Sequence, residues 1–383
     1  MLTMSGVTTT PLALCQQKCK HAAQSMGSPD LLSRRITALD GLRALAITAV
    51  FVAHDDEKTF ANGGLGVEVF FVLSGFLITS LVVAEYGSVT GFKYRRFLAR
   101  RFLRLMPALI PVLAFAVFAS FVLSGSIDAQ TRSAAPFALV YLSNWYRAFG
   151  HEAGLLAHTW SLSIEEQFYL VWPLILGLAY GFKGERGVLW TAVTLVAVST
   201  TWRIALTASG ASFDRVYNGT DTQADQLLVG CSLALLFRQS PRFVRGFSRL
   251  GPVGLVVIVG LMVSQLDDDF FFYVGDTVVA VCAAALISWL VLGGASRLHA
   301  AFELAPVVGL GRISYGFYLW HYPIILVVRD RISNVIGCGF AAAILSLGAS
   351  VASFRFVERP ILRWRKRVVS VAVEDQVAAP VLE

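Results

Sequence analysis

Apolar residues run through this chain in stretches of about twenty, broken by short polar or basic segments, and twenty residues is the length a helix needs to cross a bilayer. By that measure spans are predicted near residues 36–54, 64–85, 105–125, 158–181 and 188–207, then 222–238, 251–266, 272–293, 305–328 and 335–356. The segment from Phe137 to Gly150 contains Ser143, Asn144, Tyr146 and Arg147. It is too short and polar to span and reads as a re-entrant or interfacial helix. The pattern therefore predicts an all-α polytopic membrane protein with about ten transmembrane helices. Residues 1–33 read as a flexible cytoplasmic extension, 34–366 as the transmembrane domain and 367–383 as a cytoplasmic tail. No internal repeat is visible, which weighs against a transporter of two symmetric halves.

Composition supports that class. Of 383 residues 56% are hydrophobic and only 15% charged, fewer charges than a soluble surface of this size needs. The net charge of +7 comes from basic clusters between apolar stretches. Lys93, Arg95, Arg96, Arg100, Arg101 and Arg104 follow the second span, Arg238, Arg242, Arg245 and Arg249 the sixth, and Arg359, Arg363, Arg365, Lys366 and Arg367 the tenth. All three fall on one side if the count is even and both termini are cytoplasmic. The opposite loops carry Asp55, Asp56 and Glu57, then Asp267, Asp268 and Asp269. Clusters so placed are topology signals, and nucleic acid is excluded as a partner. Cys15 and Cys19 would need His21 and a fourth ligand to hold zinc, whereas Cys231, Cys282 and Cys338 sit in apolar runs as small hydrophobes, so no metal site is expected. No secretory signal precedes the first apolar run, which is expected to remain as a helix of a multi-pass plasma-membrane protein.

Candidate chemistry lies in the polar residues inside the spans. Arg43 and His54 are eleven positions apart in the first span, about three turns and about 16 Å of rise, so they share a face. Either the arginine snorkels to headgroups while the histidine marks the opposite interface, or the two line a functional path. In the fourth span His158, Ser161, Glu165 and Tyr169 share one face, with Glu166 one step round. Two adjacent carboxyls there suit proton transfer, although a glutamate that only pairs with Arg43 would leave the same trace. In the ninth span Ser314, Tyr318 and His321 share a face, as do Tyr315, Tyr318 and Tyr322. The sixth opens with Thr220, Asp221, Thr222, Gln223, Ala224 and Asp225, read equally well as a capped helix start or as acceptor contacts. Arg101 and Arg104 are three apart on one helical edge, a spacing that grips phosphate oxygens and that a positive-inside cluster also produces.

Taken in order, Leu39-Asp40-Gly-Leu-Arg43 through His54, Gly66 through Ile78, Arg100-Arg101-Phe-Leu-Arg104-Leu-Met-Pro107, His158-Thr-Trp-Ser161 through Pro173, the segment from Thr220 to Asp225, Gly311-Arg-Ile-Ser-Tyr through Pro323, and Phe356-Val-Glu358-Arg359-Pro360 resemble the acyltransferase 3 family of integral membrane acyltransferases. The resemblance implies transfer of an acyl group, commonly acetyl from acetyl-CoA, to a hydroxyl of a glycan, glycolipid or related metabolite. Some members carry a C-terminal SGNH-type domain, and this chain is expected to be a form without it. Glu68 stands where many relatives have aspartate, and Gln223 where many have arginine.

The expected mechanism follows from that resemblance. Arg101 and Arg104 hold CoA phosphates, Arg43 lines the donor channel, and His54 acts as general base or as a covalent acyl carrier, with Glu165 or Glu166 orienting it or relaying its proton. Asp40, Ser161, Tyr169, Asp225, Tyr315 and His321 are the expected acceptor or pocket residues. No permanently bound cofactor is expected; acyl-CoA is a substrate, and the partners are the glycan or metabolite acceptor and the bilayer. The rival from another class is a proton-coupled glycolipid transporter or flippase using the same buried ions.

Overall fold

A computed structural model describes residues 35–56, 60–86, 91–122, 126–294, 296–332 and 334–363, which form helices and connecting turns with no strand among them. The predicted terminal segments 1–33 and 367–383, with Cys15, Cys19 and His21, and also Glu57, Arg365, Lys366 and Arg367, lie outside the described residues. The helices are α1 (Thr37–Asp55), α2 (Gly66–Tyr86), α3 (Tyr94–Val122), α4 (Ser126–Leu139), α5 (Ser143–Ala148), α6 (Thr159–Ala208), α7 (Phe213–Asn218) and α8 (Thr220–Gln239). They continue as α9 (Pro241–Phe247), α10 (Gly251–Met262), α11 (Asp268–Phe270), α12 (Asp276–Leu292), α13 (Arg297–Phe302), α14 (Ala305–Arg312), α15 (Ser314–Arg329) and α16 (Val335–Ser353).

Seven helical stretches among the described residues are long and apolar enough to cross a membrane: 37–55, 63–86, 94–122, 159–208, 241–262, 268–292 and 335–363. The protein is a multi-pass membrane protein. Seven rather than the expected ten has three physical sources. Two expected spans, 158–181 and 188–207, fall within α6, which breaks at Lys183 (φ −140°) and at Gly184, whose φ of +57° favours glycine. The expected span 222–238 is the helix α8, but Thr220, Asp221, Thr222, Gln223, Asp225 and Gln226 fill its first two turns. The expected span 305–328 is divided at Ile313 between α14 and α15. The polar segment 137–150 contains the end of α4, a turn and the six-residue α5.

Between helices in a bilayer there is little hydrophobic drive, so association rests on close packing, and small residues permit it. One such close contact joins α2 and α8. A Cβ on Gly75 would lie 1.8 Å from the Leu227 carbonyl oxygen, and one on Gly230 would lie 1.9 Å from that of Val72. Each glycine thus seats the other helix's backbone. Around this contact Phe71, Phe76, Ile78, Leu227, Leu233 and Leu235 are fully or almost fully buried. Gly75→Val is expected to force α2 from α8 at an overpacking cost of about 1–3 kcal/mol or more. Thermal unfolding in detergent measures it, and an unchanged midpoint would show that the contact does not hold the bundle.

Candidate active site

His54 occupies the last turn of α1, where carbonyls lack helical partners. Arg329 of α15 supplies them: its Nη2 donates to the carbonyls of His54 (2.8 Å) and Asp55 (2.9 Å). The His54 ring meets α15 directly, with Nδ1 2.9 Å from Nε2 of the fully buried His321. Nδ1 of His321 lies 2.5 Å from the Tyr318 carbonyl oxygen. A carbonyl only accepts, so this Nδ1 carries the proton, and in a neutral ring Nε2 is then a lone pair. His54 must therefore donate from Nδ1. Its own Nε2 is left as the basic nitrogen, with the ring held in that tautomer by its neighbour.

A third histidine completes this end. Pro323 has no N–H, so the Leu319 carbonyl four residues earlier loses its helical donor. His158 Nε2 donates to that carbonyl instead, at 3.1 Å. The His158 and His54 rings lie 5.1 and 4.9 Å from that of Tyr322. The Tyr318 hydroxyl donates to the His158 carbonyl (2.7 Å) and so accepts from Ser161 Oγ (2.6 Å). Arg147, whose Nη1 donates to the Ala157 carbonyl at 3.1 Å, interacts electrostatically with both His54 and His158.

The polar face of α6 leads away from the histidines. Two turns past His158, Glu165 accepts from Ser74 Oγ of α2 at 2.6 Å. It shares its electrostatic surroundings with Arg43, Arg101, Arg104 and Tyr169. The Arg101 guanidinium stands 5.0 Å from the Tyr169 ring centroid, a cation–π geometry. Tyr315 donates to the Leu105 carbonyl at 3.0 Å. Three guanidinium groups at one end and three imidazoles at the other thus flank two bonded pairs, Ser161–Tyr318 and Ser74–Glu165.

The other expected residues are placed as follows. The bonded partner of the His54 ring is His321, while Glu165 and Glu166 sit two turns along α6, Glu165 bonded to Ser74. Asp225 is not beside the histidines: it accepts from Arg203 Nη1 at 2.7 Å and from Thr200 Oγ1 at 2.9 Å. Asp40 belongs to the opposite end of α1 from His54, where it accepts from Arg35 Nε at 2.9 Å and lies 3.8 Å from Arg43 and 3.9 Å from Arg312.

Residues not singled out from sequence also matter. Gln167 fastens the 140s segment: its Nε2 donates to the Tyr141 carbonyl and to Asn144 Oδ1, both at 2.8 Å, while its Oε1 accepts from Thr220 Oγ1 (2.6 Å) and Trp145 Nε1 (3.2 Å). Tyr141, at the end of α4, has a φ of +57°, alone in this among the described non-glycine residues. The Leu142 N–H closes onto the Phe137 carbonyl (2.8 Å), the helix-ending motif that normally places glycine there. A tyrosine in that conformation costs about 1–2 kcal/mol. The sequence signals were faint: a glutamine beside two glutamates and a tyrosine where a helix stops.

Fold and site together define a multi-pass helical membrane protein with a histidine pair at one end of an intramembrane polar seam. The chain belongs to the acyltransferase 3 family, its residues 36–355 matching the family's acyltransferase domain. It is 32% identical over 354 residues to the peptidoglycan O-acetyltransferase OatA of Listeria monocytogenes, covering 85% of this chain and 56% of that protein. It is also 32% identical over 348 residues to the O-acetyltransferase OatA of Staphylococcus aureus, covering 86% of this chain and 57% of that protein. The chain thus spans a little over half the length of these curated relatives. No solved structure matches it.

Proposed function

We propose that this chain is a plasma-membrane O-acyltransferase that moves an acyl group, acetyl by preference, from cytoplasmic acyl-CoA to a hydroxyl of a cell-envelope carbohydrate. The name of the Listeria monocytogenes relative suggests peptidoglycan as that acceptor. The observation that supports the reading most is the bonded series His54, His321, Tyr318 carbonyl, which leaves His54 Nε2 as an oriented base. In this reading Nε2 takes the proton of the acceptor hydroxyl as its oxygen attacks the thioester carbon. The carbon–sulfur bond then breaks, and the proton held on His54 passes to the departing thiolate, giving the ester and free CoA. Arg43, Arg101 and Arg104 form the donor end, where guanidinium groups suit CoA phosphates. With both termini cytoplasmic, as the basic clusters suggest, that end faces the cytoplasm and His54 the acceptor.

Membranes containing the chain, supplied with acetyl-labelled acetyl-CoA and a muramyl glycan, are expected to yield O-acetylated glycan and one free CoA per acetyl transferred. Movement of a glycolipid across the membrane with no CoA release would overturn the proposal in favour of a transporter.

A further inference from the structure

Two buried polar atoms between the arginines and the histidines have no hydrogen-bond partner among the described residues: Glu166 Oε1 and the Tyr141 hydroxyl. They belong to one locality, since Gln167, the residue after Glu166, donates to the Tyr141 carbonyl, and the Tyr141 and Glu166 side chains interact electrostatically. Tyr315 interacts with both, and Glu166 also with Arg101 and Arg104. Tyr141 is moreover the residue with the left-handed backbone, held there by Gln167. Conformational strain maintained by surrounding bonds is found where a side chain must be aimed. An unpaired buried acceptor and donor are costly unless something fills them.

We propose that Glu166 and Tyr141 form a binding site for a secondary amide, whose N–H donates to Glu166 Oε1 and whose carbonyl accepts from the Tyr141 hydroxyl. Resting on the acyl-CoA reading above, the amide is assigned to the pantetheine arm, because the pair lies within electrostatic reach of Arg101 and Arg104 on the donor side. The site fixes how far the arm advances, and so where the thioester carbon stops relative to His54. Glu166 is then a donor-binding residue rather than the proton relay expected from sequence. The same chemistry is present in the acetamido group of an amino sugar, and the test separates the two sources.

The experiment compares two small donors, S-acetyl-N-acetylcysteamine, which carries the amide, and S-acetylpropanethiol, which does not, and two acceptors, with and without an acetamido group. The wild type, Tyr141→Phe and Glu166→Leu are assayed in membranes, and the readout is the ratio of kcat/KM within each pair, which does not depend on the amount of folded protein. The wild type is expected to prefer the amide-bearing donor by about tenfold, and each variant to lose most of that preference while its acceptor ratio stays constant. Loss of the acceptor preference instead would retain the amide site and overturn its assignment to pantetheine. Ratios unmoved in both pairs would overturn the site. Absence of CoA release from acetyl-CoA by the wild type would overturn the underlying function and the pantetheine assignment with it.

Discussion

Replacing His54 by alanine is expected to lower acyl transfer by about 10³-fold to 10⁴-fold, the upper range for removal of a general base. The corresponding barrier increase is about 4–5.5 kcal/mol. The variant should fold normally, because α1 keeps its apolar face and Arg329 bonds the backbone carbonyls of residues 54 and 55 rather than the imidazole. His321 supplies the control. Its Nε2 accepts from His54, so His321→Leu should free the His54 ring to adopt the wrong tautomer, with a loss of about 10–100-fold. His321→Gln, which keeps an acceptor at the end of its side chain, should recover part of that loss. Release of CoA by membranes matched for folded protein measures both. Wild-type rates in His54→Ala would remove the histidine from the chemistry, and equal rates for the two His321 variants would deny His321 a positioning role.

The second large effect is on stability. Arg203 is entirely buried and joins the second half of α6 to α8 and α12. Its Nη1 donates to Asp225 (2.7 Å) and to the Thr222 carbonyl (3.0 Å), its Nη2 to Thr277 Oγ1 (2.9 Å), and its Nε to the Phe272 carbonyl (3.1 Å). Asp276 lies 3.7 Å from the same guanidinium, and Glu68 interacts with it electrostatically. Arg203→Met would leave these carboxyl groups buried without their cation, at a cost of about 3–5 kcal/mol. The expected result is a large fall in the detergent unfolding midpoint. Arg203→Lys should rescue it poorly, because one ammonium cannot reproduce four bonds in a plane. Adding Asp225→Leu to Arg203→Met should restore part of the stability, since one unpaired charge is then removed. An unchanged midpoint in Arg203→Met would show that the cluster does not hold these helices together.

That cluster illustrates what is legible without coordinates. Asp225 was visible as an acidic residue in the polar start of a helix, but its pairing with Arg203 was not. Arg203 stands near the end of an apolar run, where a snorkelling arginine looks the same. Tyr141 is similar: the Gln167 bond to its carbonyl comes from another helix and leaves no mark in the local sequence.

By itself the sequence determined the helical membrane class, the shared face of Arg43 and His54, and the polar stripe of His158, Ser161, Glu165 and Tyr169. Those features depend on span length and on the 3.6-residue period, which are local. The tertiary structure alone decided that His54 meets His321 rather than a glutamate, that Pro323 frees a carbonyl for His158, and that Asp225 belongs to Arg203. Each is a contact between side chains or carbonyls on different helices. Buried polar groups must find partners, but which partner is within reach depends on how the helices pack.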